Sequence, residues 1–203
     1  MESSQVRPVS VIVPSKNRPR EIARMLASLY AQPTKPAEVL VVDQSTPAYD
    51  LSAFPDVIQY HAPHLSGLTA ARNTGIDRTR GDVVLFFDDD VLLETDCVSA
   101  IGRLFAARRD VVGAQCAVHN PEDDEPLSLH DISVFLFERG FFDMRPIRRG
   151  TDRIPRCIDG LASAYRRDLF AVERFDETLT GYCLAEDWDF TKRAARHGTL
   201  LIA

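Results

Sequence analysis

Three adjacent carboxylates are the residues of this 203-residue chain whose chemistry most needs an explanation. Asp88, Asp89 and Asp90 directly follow residues 83–87, an apolar run typical of a strand buried on both faces. Neighbouring acids repel one another, and a hard divalent cation such as Mg²⁺ or Mn²⁺ would offset that repulsion through oxygen ligands. Open α/β sheets bind their ligands at this end of their strands, which favours a metal site. The alternative is an acidic turn that caps the next segment.

A second pair of acids, Glu186 and Asp187, stands where a helical pattern begins. A carboxylate that reaches a reacting hydroxyl can remove its proton, so this pair is a candidate general base. Acids are also favourable at the start of a helix for electrostatic reasons alone, and the sequence leaves that alternative open.

The elements that would position these acids alternate between strands and helices. Apolar and β-branched runs predict strands at residues 9–14, 38–43, 57–61, 83–87, 111–118 and 158–165, and residues 200–203 resemble the interior of another. Helical spacing predicts helices after residue 17, from about residue 65, and at residues 97–108, 167–173 and 187–197. Asn17 is the expected N-cap of the first helix, with Pro19 in its first turn. This order predicts an α/β fold with a mostly parallel, Rossmann-like sheet flanked by helices.

Composition limits the classes of protein that fit. A chain with 45% hydrophobic and 27% charged residues predicts one globular domain over residues 1–203, truncated at its carboxyl end if the last strand is cut. A net charge of −6 argues against a nucleic-acid binder. The absence of a signal-like or membrane-spanning run predicts a cytoplasmic protein, with attachment to the inner face of the membrane left open. The scattered Cys97, Cys116, Cys157 and Cys183 are expected to be free thiols.

Six short motifs give these separate features a common explanation. They are VIVPSKNR at residues 11–18, VVDQS at 41–45, GLTAARNTG at 67–75, DDD at 88–90, FDE at 175–177 and EDWD at 186–189. In this order and at about these intervals, the motifs resemble those of family 2 glycosyltransferases of the GT-A fold, over nearly the whole chain. Each motif is weak alone, whereas six in register are specific.

The resemblance implies a binding site for a nucleotide-diphosphate sugar at the first strands of the sheet. Pro14 and Ser15, in the loop after the first strand, would form the floor of the nucleotide site. Asp43 would accept a hydrogen bond from a base N–H, which suits a carboxylate because it only accepts. Arg72 would lie near the diphosphate or the acidic loop, where a guanidinium binds oxyanions. The alternatives are a turn-capping Asp43 and a surface ion pair for Arg72.

The resemblance also implies roles for the acids. Asp90 would hold a divalent metal, Mn²⁺ or Mg²⁺, that bridges the two phosphates of the donor. Asp88 would contact the metal or the ribose of the nucleotide, and Asp89 would be the middle residue of the motif. Because three acids are adjacent, this assignment could shift by one residue. Asp187 would act as the base, and Glu186 would point toward the acceptor.

The implied reaction is transfer of a sugar from a nucleotide diphosphate to an acceptor hydroxyl. Inversion at the anomeric carbon is expected because one base and one metal support a single displacement. The acceptor would be a glycan, a lipid-linked molecule or another hydroxyl compound. The alternatives are a GT-A-like domain that binds a nucleotide sugar or glycan without turnover, and a nucleotidyltransferase, which the lack of glycine in residues 14–20 disfavours. The sequence specifies neither the sugar, the base, the acceptor nor the oligomeric state.

Three further segments carry expectations about the surroundings of the site. Residues 160–167 resemble the strand beneath the donor sugar, with ordinary strand packing as the alternative. His197, at a polar helix end, is expected to be solvated. Residues 132–156 form an irregular segment, and its arginine-rich part, residues 139–156, would bind an anionic acceptor or a membrane surface. Its alternative is a solvated loop whose arginines pair with the acids at residues 122–125.

Overall fold

The structure is a computed structural model that describes residues 6–116, 158, 160–179 and 185–202. These residues form seven strands, four α-helices and one 3-10 helix. In chain order they are β1 (Val9–Ser15), α1 (Pro19–Tyr30), β2 (Glu38–Asp43), β3 (Val57–His61), α2 (Leu68–Arg78), β4 (Val83–Phe87), α3 (Cys97–Ala107), β5 (Val111–Gln115), β6 (Ala162–Arg166), the 3-10 helix (Arg167–Ala171), α4 (Glu186–Ala194) and β7 (Thr199–Ile202).

The strands form one mixed sheet in the order β3-β2-β1-β4-β6-β5-β7. Strands β3, β2, β1 and β4 are parallel, as are β5 and β7, whereas β6 runs antiparallel to both of its neighbours. The predicted α/β fold with a mostly parallel sheet is confirmed. The direction of β6 was not predicted, because a long stretch of sequence separates it from β5 and no short crossover constrains it.

Helices cover both faces of the sheet, which explains why β1 and β4 are buried along their whole length. On one face, α1 packs through Ile22, Met25, Leu26 and Leu29, the predicted apolar stripe, and α3 lies beside it. On the other face, α2, the 3-10 helix and α4 pack over a cluster of aromatic side chains. The two helix layers leave the carboxyl ends of the central strands free to carry loops.

Several element boundaries differ from the predicted ones. Arg18, not Asn17, is the N-cap of α1, because Asn17 adopts φ 57° and its N–H bonds the hydroxyl of Ser45 instead. Pro19 is the first helical residue, as expected. The segment predicted as one strand from residue 158 forms β6 only from Ala162, and the following segment is a 3-10 helix.

Several predictions concern residues outside the described ones. They are the irregular segment 132–156, the acids at 122–125, the end of the strand at 111–118, Cys157 and Cys183. Cys97 and Cys116 are free thiols, with their sulfurs 3.9 Å apart. The extent of the domain, 1–203, stays a prediction. None of the helices formed by the described residues is long and apolar enough to cross a bilayer.

Candidate active site

The candidate site lies at the edge of the sheet where β1, β2 and β4 end. The register pairs Ser15 of β1 with Asp43 of β2, and the acids 88–90 directly follow β4 on the other side of β1. Because β6 is antiparallel, the turn that precedes it reaches the same edge, and α4 begins beside that turn. Four strands therefore deliver side chains to one place.

Pro14 and Ser15 are the last residues of β1, not part of a loop as predicted. Pairing between β1 and β4 ends at Ile12, so the missing N–H of Pro14 takes no hydrogen bond from that ladder. The buried Ser15 hydroxyl lies 2.8 Å from the Tyr49 hydroxyl and donates to Asp89 at 2.6 Å. Ser15 thus fastens the acidic loop to the end of β1.

The three adjacent acids have different surroundings. The side chain of Asp89 is 6% exposed, whereas those of Asp88 and Asp90 are 30% and 46% exposed. Burial raises the pKa of Asp88 to about 6, against the opposing charge of Arg72 and with the other two acids adding to the rise. Burial also raises the pKa of Asp89. The outer acids of the run are thus the ones that face solvent, as in the D-x-D interpretation.

Arg18 is a site residue that the sequence interpretation missed. Its guanidinium bridges two acids, with Nη1 2.7 Å from Asp89 Oδ1 and Nη2 2.7 Å from Asp90 Oδ2. The signal was present, since Arg18 closes the first motif and immediately precedes the helix that β1 leads into.

Arg72 is not on the helix surface. Its side chain is 2% exposed, and its Nη1 donates to Glu186 Oε1 at 2.6 Å. Its Nη2 donates to the carbonyl of Gly160 at 3.1 Å and lies 3.7 Å from Asp88 Oδ1. The surface ion pair is therefore wrong, and Arg72 lies beside the acidic loop, as the resemblance implied. It joins β4 to the start of α4.

Glu186 and Asp187 begin α4, as predicted, but they face different surroundings. Glu186 is buried and pairs with Arg72. Burial raises the pKa of Glu186 while the charge of Arg72 opposes the rise. Asp187 is half-buried, and its Oδ2 accepts the N–H of Gly160 at 3.1 Å. Asp187 is thus the acid of the pair with access to solvent.

Asp43 is fully buried, and the turn that follows β2 uses its carboxylate. It accepts the N–H groups of Ser45 and Tyr49 at 2.9 and 2.8 Å and the side-chain amide of Gln59 at 2.9 Å. Burial alone would raise its pKa, but these hydrogen bonds hold the pKa of Asp43 below its usual value. The turn-capping alternative is therefore part of its role.

The acidic loop after β4 could hold a divalent cation if a bound ligand supplied the remaining coordinating atoms. In the part of the chain that the structure describes, no three His, Cys, Asp or Glu side chains form a complete metal-binding group. Mg²⁺ is usually held by one or two carboxylates together with the phosphates of a substrate, and Asp88 and Asp90 supply that number of hard oxygen donors. His197 is exposed, as predicted, and its Nε2 also lies 3.0 Å from Glu173 Oε1.

The comparison of sequence profiles identifies the family. The profile described as Glycosyl transferase family 2 matches residues 10–172, most of the chain. The chain belongs to glycosyltransferase family 2. Within this family, the chain is 34% identical over 201 residues to the pre-mycofactocin glycosyltransferase of Mycobacterium tuberculosis, covering 96% of this chain and 40% of that protein. An uncharacterized glycosyltransferase of Bacillus subtilis is 24% identical over 197 residues, or 93% of this chain and 68% of its own.

Solved structures assign the fold of this family 2 chain to GT-A. A mannosyltransferase from Pyrobaculum calidifontis, in complex with GDP-Man and Mn²⁺, matches 99% of this chain with a TM-score of 0.66 and 21% identity. TarS of S. aureus, residues 1–349, matches 97% with a TM-score of 0.70 and 20% identity. The chain spans 58% of each of these structures. The family 2 chain therefore corresponds to part of these relatives.

Proposed function

We propose that this family 2 domain is an inverting, metal-assisted glycosyltransferase that moves a sugar from a nucleotide diphosphate to an acceptor hydroxyl. The observation that carries the proposal is the buried Arg72, which bonds Glu186 next to the candidate base and lies 3.7 Å from Asp88 of the acidic loop. A donor-binding group and a base are thereby held in one network, as a single displacement requires.

At the donor end, Asp88 and Asp90 would hold Mn²⁺ or Mg²⁺ together with the diphosphate. The cation would stabilise the negative charge that develops on the departing nucleoside diphosphate. The mannosyltransferase from Pyrobaculum calidifontis, which shares this fold, was solved with GDP-Man and Mn²⁺, which supports a metal and a nucleotide sugar as ligands here. Pro14, Ser15 and Asp43 would line the nucleotide side, and Asp89 would anchor the loop through Ser15.

At the acceptor end, Asp187 would take the proton of the attacking hydroxyl. The N–H of Gly160 bonds one oxygen of Asp187 and thus orients its carboxylate. Attack from the side opposite the leaving diphosphate inverts the anomeric carbon, since the mechanism has one displacement. Glu186 would act through Arg72 as a positioning residue, because it is buried and bonded there.

The donor can be identified by measuring the thermal stability of the full protein with UDP-, GDP- and dTDP-sugars, each with and without Mn²⁺. A ligand present at a hundred times its Kd should add about 2.7 kcal/mol to the free energy of unfolding. Candidate acceptors, glycan or lipid-linked, are then tested with the donor that binds, and the anomeric configuration of the product is read by NMR. Retention of configuration would reject the inverting mechanism. Binding without transfer or hydrolysis would favour a non-catalytic nucleotide-sugar or glycan-binding domain.

The metal assignment is tested by Asp90→Asn. An amide is a poor replacement for a charged oxygen ligand, so we expect Mn²⁺-dependent nucleotide binding to be lost in calorimetry. The control is Asp56→Asn, which changes an exposed acid in the turn before β3. Equal nucleotide affinities of wild type and Asp90→Asn in Mn²⁺ would remove Asp90 from the metal site.

A further inference from the structure

Arg18 contacts two acids of different exposure. The side chain of Asp89 is 6% exposed and is also held by Ser15, which donates to its second oxygen at 2.6 Å. Asp90 is 46% exposed, and its carboxylate accepts a hydrogen bond from Arg18. One end of the guanidinium therefore bonds a buried acid with a second partner, and the other end bonds an acid that faces solvent.

The backbone around Arg18 holds this side chain in place. Its own N–H donates to the Tyr49 hydroxyl at 2.8 Å, and Pro19 fixes the start of the helix that follows. The preceding residue, Asn17, donates its N–H to Ser45 at 2.8 Å. Arg18 is thus bound to the loop after β2, and its guanidinium reaches across the end of β1 to the acidic loop after β4.

A divalent cation and Arg18 need the same carboxylate. Asp90 Oδ2 already accepts a hydrogen bond from Arg18 at 2.7 Å. A cation that coordinates this oxygen must replace Nη2 or weaken its bond, since a guanidinium and a divalent ion repel each other at that distance. Nη1 stays on Asp89, so the displaced Nη2 remains at the site with a donor to spare.

We propose that Arg18 is an exchangeable counter-ion of the donor site, which bonds Asp90 until a divalent cation takes that carboxylate and then donates to a phosphate oxygen of the nucleotide. The proposal rests on the proposed function, because it needs a metal and a diphosphate at this edge of the sheet. A guanidinium suits both roles, since it bonds carboxylates and phosphates with the same planar donors.

The exchange couples the binding of the two ligands. A cation alone must break the Arg18–Asp90 bond without a replacement for Arg18. When the nucleotide is also bound, Arg18 gains a phosphate partner. Each ligand therefore raises the affinity of the other by the same factor, and Arg18 contributes part of that factor.

The test compares wild type with Arg18→Met, and with Arg20→Met as the matched control, an exposed arginine one residue into α1. The Kd for Mn²⁺ alone is measured from the electron paramagnetic resonance signal of free Mn²⁺. The Kd for UDP, GDP and dTDP is measured by calorimetry with and without Mn²⁺. We expect Arg18→Met to bind Mn²⁺ alone severalfold more tightly and its preferred nucleoside diphosphate in Mn²⁺ about tenfold more weakly, while Arg20→Met behaves as wild type.

Arg18→Lys provides a second variant if the methionine destabilises the fold, which thermal unfolding reports. A lysine keeps a charge near Asp89 but presents a single ammonium in place of the planar fork, so the same changes are expected at smaller size. An unchanged Kd for Mn²⁺ alone, or unchanged coupling between Mn²⁺ and nucleotide, overturns the role of Arg18. A wild type that binds nucleotides but transfers no sugar would instead reject the proposed function, and the two failures are thus distinguishable.

Discussion

Gly160 is the residue at which the two ends of the candidate site converge. Its carbonyl accepts Nη2 of Arg72 at 3.1 Å, and its N–H donates to Asp187 at 3.1 Å. A Cβ at this position would lie 2.7 Å from Nη2 of Arg72 and 3.3 Å from Glu186 Oε1. A side chain at this position would therefore require the Arg72 guanidinium to shift, and this restriction comes from space rather than from an unusual backbone conformation.

Gly160→Ala is expected to push the Arg72 guanidinium away and to misplace the acids that it holds. We expect transfer to fall about tenfold or more and the free energy of unfolding to fall by about 1–3 kcal/mol, as for an overpacked interior. The control is Gly198→Ala, whose Cβ would meet Val112 at 2.5 Å, away from the site. That variant should lose stability and keep its turnover number. Equal turnover of the two variants in a donor-saturated assay would contradict the role of Gly160.

Asp187→Asn tests the base directly. The asparagine carbonyl can still accept the N–H of Gly160, but it cannot take a proton from the acceptor. We therefore expect donor affinity to be kept and transfer to fall by about 10²-fold or more, the size of a lost general base. Asp189→Asn is the control, since that acid pairs with Arg193 on the exposed side of the same helix. A transfer rate close to that of wild type would exclude Asp187 as the base.

The sequence predicted where the candidate site residues lie in the chain, but not which side chains they contact. The places of Asp88, Asp90 and Asp187, after a strand and at the start of a helix, could be predicted because local patterns mark those boundaries. The burial of Glu186 and the bridging by Arg18 could not, because both depend on contacts between segments far apart in the chain. For the same reason, the three hydrogen bonds to Asp43 were visible only in the folded structure.

Helix α4 carries the candidate base, and Phe190 is the largest of its buried side chains. Phe190 is fully buried, stacks on Phe175 with ring centres 4.3 Å apart and meets the edge of Tyr165 at 5.0 Å. Asp187 lies less than one turn before Phe190 on the same helix. The packing of this aromatic cluster therefore helps to position Asp187, the candidate base.

Phe190→Leu should lower both stability and transfer. The loss of ring contacts is expected to cost on the order of 1 kcal/mol in chemical denaturation, and a shifted α4 should reduce transfer severalfold. Phe105→Leu is the matched control, a buried phenylalanine in α3 on the other face of the sheet. It should lose similar stability without a loss of transfer by the folded protein. A transfer rate that Phe190→Leu leaves unchanged would show that α4 tolerates the shift.

At the level of elements, local patterns predicted the strands and helices. They did not predict which strands pair over long separations in the chain. The apolar stripe of α1 and the buried run of β4 each depend on the types of residues close together in the chain. The sequence alone therefore reveals them. The position of β6 between β4 and β5 depends on pairing across a long separation. The N-cap of α1 differed because a contact with Ser45 holds Asn17 outside the helix.

For the molecule as a whole, one ion-pair cluster makes stability depend on pH. Its acid, Glu173, connects the segment after the 3-10 helix to the end of α4. It accepts hydrogen bonds from Arg193 at 2.6 Å and from His197 at 3.0 Å. The bond from His197 and the bond from Arg193 hold the pKa of Glu173 below its ordinary value of 4.5, against a smaller opposing effect of burial. The ionised carboxylate is therefore stabilised in the folded protein.

The pH dependence of stability follows from the direction of that shift. The contribution of Glu173 is complete above its unfolded pKa, near 4.5, and is lost as the pH falls through the lower folded value. Glu173→Gln should thus cost about 1 kcal/mol at pH 7, and the gap to wild type should narrow below about pH 4.5. Thermal unfolding of both proteins from pH 7 to pH 3 measures the gap. A constant gap over this range would contradict the assignment.

The antiparallel direction of β6 has a consequence for how such a domain can diversify. Strand β5 ends, and β6 begins, at the edge where the candidate site lies, and the N–H of Cys116 bonds the carbonyl of Ala162 where the two meet. The chain that joins them therefore starts and ends at that edge. The pairings among the seven described strands use none of residues 117–157, so changes of length within this connection need not alter those pairings. We therefore expect related sequences to differ in length here more than elsewhere.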